Sequence, residues 1–319
     1  MPCRRISSNH RPRPQALIIR KWWLTWCLLT TILVAMGFSL VIATCLASAA
    51  GGSYVLFSME DRAGDDYGGG SITYPLHEVF EPGLFDLRRV HVWHDDHNIY
   101  FDISFTRVTN PWNAPEGFFH QLIDIYIDAE PGGHTQPVAP GPGVQFSAEA
   151  GWEYRLRIQP WGDSQWLDGR SNPGKVHAIK VLALPDGKTI RAGVPLTMTG
   201  PPNRGWRYYV LVGGFDVFGP DHYRPIKETA TQWSFGGEAW PGGPSVIDIL
   251  DPGPQRRSQK VQLAIRDSSS DAMPVLLPVG PGLSLPFTWK HLLASLAVLC
   301  VLASIFLLLS RLSPPGHVG

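Results

Sequence analysis

A two-residue alternation runs through the middle of this chain, and it restricts the possible folds more than any other feature. In "WEYRLRIQ", Trp152, Tyr154, Leu156 and Ile158 fall on one side and Glu153, Arg155, Arg157 and Gln159 on the other. That is the pattern of an antiparallel strand with one face in a core and the other in water. "LIDIYID" repeats it, with Ile123, Ile125 and Ile127 opposing Asp124, Tyr126 and Asp128. "RVHVW" and "NIYFDISF" flank "HDDHN" as the arms of a hairpin, and further strands are expected at 176–183, 206–212, 231–235, 246–250 and 261–265. The series is punctuated by 33 Gly and 29 Pro and contains no long amphipathic helix. It predicts an all-β fold, a single β-sandwich of immunoglobulin-like or jelly-roll type over residues 53–266.

Two apolar runs bracket that region. Residues 22–46 and 292–310 carry no charge, and each is long enough for a membrane-spanning helix, which takes about 20 residues. Arg4, Arg5, Arg11, Arg13, Arg20 and Lys21 precede the first run with no acid among them. Such a flank stays in the cytoplasm, and the residues beyond the apolar run are exported. The expected plan is a basic cytoplasmic flank at 1–21 and a signal peptide or uncleaved signal-anchor at 22–49, followed by the sandwich. A Ser/Pro/Gly stalk at 267–286, a transmembrane helix at 287–310 and a cytoplasmic stub at 311–319 complete it. The expected location is the cell membrane, with the sandwich outside the cytoplasm.

Cys3, Cys27, Cys45 and Cys300 all lie in the flank or the apolar runs, so the exported part has no disulfide, thiolate metal site or cysteine nucleophile. Residues 51–285 hold 27 Asp plus Glu against 19 Lys plus Arg, a net charge of −8. An acidic exterior without a basic cluster argues against a nucleic-acid partner. No Gly-x-Ser-x-Gly elbow occurs. The chain is read as non-catalytic, with an unrecognised glycoside hydrolase as the enzymatic alternative.

Candidate binding residues lie in the loops. "DRAGDDYGGG" gathers Asp61, Asp65 and Asp66 around Gly64 and Gly68. Carboxylates plus inward-folded carbonyls make an oxygen-rich site suited to structural Ca2+, with Asp86 as a fourth candidate ligand and a solvated acidic turn as the alternative. In "WHDDHN", Trp93 to Asn98, two imidazoles and two carboxylates could ligate a metal, but Asp and Asn favour a plain turn. Trp112 in "NPWNAPEG" and Trp161 and Trp166 in "PWGDSQW" sit in Pro- and Gly-bounded loops as candidate sugar platforms, while Trp152, Trp206 and Trp233 follow strand patterns and are expected in the core.

Several segments together resemble the C-terminal domain of bacterial glucodextranases, a module also appended to amylopullulanase-type enzymes. The likeness rests on "GDDYGGGSITYP", "FDLRRVHV", "IYFDISF", "NPWNAPEGF" and "IDIYID", then on "GWRYYVLVGGFD", "WSFGGE" and "PSVIDILDPGPQ", running from Phe57 to Ile265. The resemblance implies a β-sandwich similar to family-nine carbohydrate-binding modules, with a binding or cell-surface attachment role. Sandwich modules of that kind carry structural calcium. The implied partner is a polysaccharide or cell-envelope glycan; the alternative is a scaffolding role for a separately encoded surface protein. No glycosidase domain precedes the module within these residues, so tethering of an attached enzyme is not implied.

Overall fold

The computed structural model describes residues 52–171, 174–238, 243–251, 258–264 and 273–280. The flank 1–21, the apolar segment 22–49, the C-terminal run 287–310 and the stub 311–319 lie outside the described residues. Among those described, no helix is long and apolar enough to cross a membrane.

Two antiparallel sheets face one another. The first has the order β1-β2-β3-β10-β9, built from β1 (Tyr54–Glu60), β2 (Leu87–His94), β3 (Asn98–Phe105), β10 (Thr189–Pro195) and β9 (Lys180–Ala183). In the second, β4 (Gln121–Asp128), β6 (Tyr154–Ile158), β7 (Gln165–Asp168), β8 (Lys175–Ala178), β11 (Arg207–Gly214) and β14 (Asp248–Ile249) are ordered β14-β11-β4-β6-β7-β8. Shorter pairs close the ends: β5 (Gln145–Phe146) runs parallel with β15 (Val275–Leu276), and β12 (Ile226–Lys227) with β13 (Phe235–Gly236). The fold is all-β and consistent with a β-sandwich.

The alternation decides which side chains meet between the sheets. Val90, Val92, Phe101, Ile103, Ala192 and Val194 of the first sheet share one core with Ile123, Ile125, Ile127, Leu156, Ile158, Val210 and Val212 of the second. Each Val, Ile, Leu or Phe side chain among them stabilises the fold by roughly 1.5–3 kcal/mol on burial. In "WHDDHN" the turn reading describes the structure: Asp95 Oδ1 accepts the N–H groups of His97 (2.8 Å) and Asn98 (2.7 Å), an Asx turn between β2 and β3.

The second sheet departs from expectation. All eight residues of β4 and all five of β6 are buried, so neither strand has a solvated face. Loops cover the outer side, where Phe146, Phe215, Tyr223 and Leu276 pack on Tyr126, Tyr209 and Leu211 as a second core. The charges trapped beneath neutralise one another. Arg155 Nε donates to Asp124 Oδ1 (2.9 Å), and Arg157 Nη2 and the Tyr223 hydroxyl donate to Asp124 Oδ2 (2.7 and 2.8 Å). Arg157 Nη1 also holds Asp221 (2.7 Å).

Four other expectations change. The strand expected at 176–183 divides into β8 and β9, which lie in different sheets. Where 261–265 was expected as a strand, Gln259–Leu263 forms a short helix burying Gln259, Gln262 and Leu263, a spacing of helical period. Of 231–235 only Phe235 enters a strand. The stalk expected from residue 267 is packed over 273–280: β15 pairs with β5, Leu276 and Val279 are buried, and Val279 bridges Tyr208. The sandwich therefore extends past residue 266, because this segment supplies apolar side chains to both cores.

Candidate functional site

Strand register brings three loops to one end of the second sheet. Gln121 pairs with Gly214 and Ile123 with Ile158, so the loop entering β4 and the loops leaving β6 and β11 open side by side. They carry Trp112, Trp161 and the run Phe215 to Phe218, and Trp233 joins them from the turn between β12 and β13. Together they line a trough of about 610 Å³, within the usual size range of small-ligand sites. Trp112, Trp161 and Trp233 remain 40%, 48% and 45% exposed despite their neighbours.

Each wall is braced from behind. The Asn110 side chain closes the Trp112 loop, its Oδ1 accepting from the Ala114 N–H (2.8 Å) and its Nδ2 donating to the Ala114 carbonyl (2.9 Å). Trp112 sets its edge against Phe119 (4.3 Å), and Trp233 stacks on His77 (4.3 Å). The Trp161 N–H donates to the Glu116 carboxylate (3.0 Å). Arg224 ties two walls together, donating to the carbonyls of Trp233 (2.5 Å) and Phe215 (2.6 Å). Among the described residues its Nε has no partner.

Among the described residues, the non-glycine positions with positive φ are Asn113 (55°), Trp161 (66°), Asp221 (51°) and His222 (64°). Trp161 and His222 line the trough, and the other two adjoin lining residues. Such backbone costs on the order of 1–3 kcal/mol per residue, and strain held in this way concentrates at ligand sites. The polar lining is Asp163, Asp216, His222 and Arg224, a set that can accept from and donate to hydroxyl groups.

His120 lies behind Trp112, 1% exposed, with both ring nitrogens unbonded among the described residues. Burial, helped by the Arg224 charge, lowers its pKa to about 4, so the folded chain holds it neutral. An unfolded His titrates near 6.5. Stability contributed by the neutral ring is therefore present above about pH 6.5 and is lost as pH falls toward 4. The melting temperature of His120→Leu should fall less than that of wild type over that window; parallel curves would show that the ring is solvated.

The acidic loop forms a separate site at the edge of the sandwich. Asp61 follows β1 and Asp65 lies in the turn beyond, while Asp248 reaches them from β14. One oxygen from each of the three lies within 4.8 Å of the others, and all three residues are buried. Burial and the neighbouring carboxylates push Asp61 up to about 8 and Asp65 up to about 6, and raise Asp248 well above the ordinary carboxylate range. Gly68 turns the loop at φ 58°, in the left-handed region, where a Cβ would meet Ile72.

A family model described as the C-terminal binding module, SLH-like, of glucodextranase matches residues 56–278. The chain belongs to this family. A search of curated proteins gives no match. The match covers both sheets, the trough and the acidic loop, and the family is one of binding modules.

Within this glucodextranase-type module, the expected site residues sort differently from their expected positions. Trp112 and Trp161 do line one trough. Trp166 does not reach it: fully buried in β7, it stacks on Tyr154 (5.0 Å). The loop ends one turn earlier than expected, because Ser164 Oγ accepts from the Gln159 N–H (3.0 Å) and donates to its carbonyl (2.9 Å). Trp233, expected in the core, takes the trough position instead. Thr231 Oγ1 accepts from the N–H groups of Trp233 (3.3 Å) and Ser234 (3.1 Å), and that Thr-initiated turn was the signal available in "TQWSFGG". Trp152 and Trp206 are buried.

Of the acids, Asp61 and Asp65 come together as expected, but Asp66 and Asp86 are engaged elsewhere. Asp66 accepts from the Tyr74 hydroxyl. Asp86 accepts from the Gly64 N–H (2.7 Å) and the Thr106 hydroxyl. Asp248 was missed because "VIDIL" reads as an ordinary strand. Its only signal was a carboxylate between two isoleucines.

Proposed function

We propose that this chain is a non-catalytic glycan-binding or envelope-attachment module, held at the membrane by its terminal apolar segments, with the aromatic trough as its saccharide site. The observation that carries this reading is the convergence of three half-exposed tryptophans, from three separate loops, on one trough of about 610 Å³. A pyranose presents C–H faces that lie against aromatic planes, and its hydroxyls can exchange hydrogen bonds with Asp163, Asp216, His222 and Arg224. A second reading, docking to a separately encoded surface protein, draws on Phe218, 94% exposed at the rim beside Val217 at 59%.

A glycan array with the purified full chain, followed by calorimetry on the best ligand, tests the first reading. Trp112→Ala, Trp161→Ala and Trp233→Ala are each expected to weaken binding by about 2- to 13-fold, the equivalent of roughly 0.5–1.5 kcal/mol per aromatic contact. Trp112→Ala and Trp161→Ala should leave the melting temperature nearly unchanged. Failure to bind any glycan, or an affinity indifferent to all three substitutions, removes the saccharide reading. Loss of partner capture on Phe218→Ser would then favour the second.

A further inference from the structure

We propose that Asp61, Asp65 and Asp248 bind a single calcium ion that clamps the edges of the two sheets together, whatever the trough binds. Two observations carry this. The first is geometric: three carboxylates, two from the loop after β1 and one from β14, present oxygens within 4.8 Å of one another. The second is that two of those carboxylates each leave one oxygen without a hydrogen bond among the described residues. Asp61 Oδ2 and Asp65 Oδ1 make no hydrogen bond, although the residues are only 8% and 5% exposed. Buried acceptors in folded proteins are almost always satisfied, and an unbonded pair facing a third carboxylate lacks a positive partner.

Among the described residues, Asp61, Asp65 and Asp248 take part in no ion pair. Other oxygens hold the ligands in place. Asp61 Oδ1 accepts from the Asp251 N–H (3.1 Å), which anchors the far side of that carboxylate. Asp248 Oδ2 accepts from the Leu87 N–H (2.8 Å) and Oδ1 from the Ile249 N–H (2.8 Å). Asp248 is therefore bonded to β2 of the first sheet while belonging to β14 of the second. Cation binding here would add a further tie between layers that share no backbone ladder at this edge.

Donor type selects the ion. All three side chains are hard oxygen ligands with no imidazole or thiolate among them, which disfavours zinc and copper. Calcium accepts irregular sets of six to eight oxygens at about 2.3–2.6 Å, completed by carbonyls and water, whereas magnesium demands a near-ideal octahedron at about 2.0–2.1 Å. A loop turned by Gly64 and Gly68 meeting a strand residue is an irregular set.

The test is thermal melting of the full chain in EDTA and after stepwise addition of CaCl2, MgCl2 or ZnCl2, with bound metal counted by elemental analysis. Calcium at about a hundredfold excess over its Kd should raise the melting temperature by roughly 5–10 °C. One calcium should be retained per chain. Asp65→Asn keeps the shape and breaks no hydrogen bond at Oδ1, which has none among the described residues. In this variant the calcium-dependent rise should vanish while the melt in EDTA stays the same or improves, because one buried charge is gone. Asp248→Asn should behave alike, and Asp65→Asn answers for it if that variant does not fold. Identical melts of wild type in EDTA and calcium, with no retained metal, would overturn the proposal in favour of carboxylates that share protons. A calcium-dependent rise that survives in Asp65→Asn would place the ion elsewhere. Equal shifts with magnesium would overturn the assignment to calcium.

Discussion

Replacing Asp124 with alanine is expected to destabilise the sandwich by about 3–5 kcal/mol, the cost of removing one partner from a buried charge network. Asp124 has no solvent exposure, and it bridges both guanidinium groups and the Tyr223 hydroxyl through short hydrogen bonds. Without it, the ion pair left to Arg155 among the described residues is Asp221, at 3.7 Å. The urea midpoint of Asp124→Ala should fall accordingly, with little change in slope. A loss under about 1 kcal/mol would mean that water reaches the guanidinium groups. The network also has a pH signature. Burial alone would raise the Asp124 carboxyl, but the Arg155 and Arg157 charges outweigh it and hold the group far below the ordinary carboxylate range. Its contribution is therefore complete above about pH 4, the unfolded value, and is lost as pH falls through the folded one. Wild type should lose this increment on acidification and Asp124→Ala should not. The same network grips Asp221, next to His222 in the trough wall. If the trough is the saccharide site proposed above, Asp124→Ala should also weaken glycan binding at temperatures where the variant is still folded.

A comparably large effect is expected from Trp166→Ala, and its contrast with Trp161→Ala separates frame from site. Trp166 is wholly buried between Tyr154 and Phe101, and truncating a core tryptophan costs roughly 3–5 kcal/mol through lost contacts and the cavity left behind. Trp161 is half exposed and holds a left-handed backbone at φ 66°. Its removal should leave stability within about 0.5 kcal/mol of wild type, as for most surface substitutions. Chemical denaturation of the two variants side by side checks this. If Trp161→Ala proves the more damaging, that loop tryptophan is a structural plug and not a platform.

These five residues, Asp124, Arg155, Arg157, Trp161 and Trp166, also mark where sequence reading succeeds and where it stops. The alternation in "LIDIYID" and "WEYRLRIQ" correctly assigned Ile123, Ile125, Leu156 and Ile158 to the space between sheets. It assigned Asp124, Arg155 and Arg157 to water, and there it failed, since period two says which side of a strand a residue occupies but not what covers that side. The cover comes from Phe215, Tyr223 and Leu276, far away in the chain. Trp161 was legible as a loop residue from its flanking Pro and Gly. Trp166, five positions on, was not, because the turn ends at a side-chain hydrogen bond from Ser164 rather than at a glycine.

Local composition by itself determined the class of structure, the inner faces of the long strands, two of the trough's tryptophans and two of the clustered acids. Each of these depends on neighbours within a few residues, through strand period, turn chemistry or carboxylate density. Only the tertiary structure decided that Trp233 completes the trough, that residues 273–280 belong to the sandwich, and that Asp248 faces Asp61 and Asp65. Those facts depend on strand order and register between segments distant in sequence. A carboxylate in "VIDIL" carries no local mark of the loop it will meet, because that meeting is fixed by the hydrophobic packing of two sheets and not by any interaction of its own.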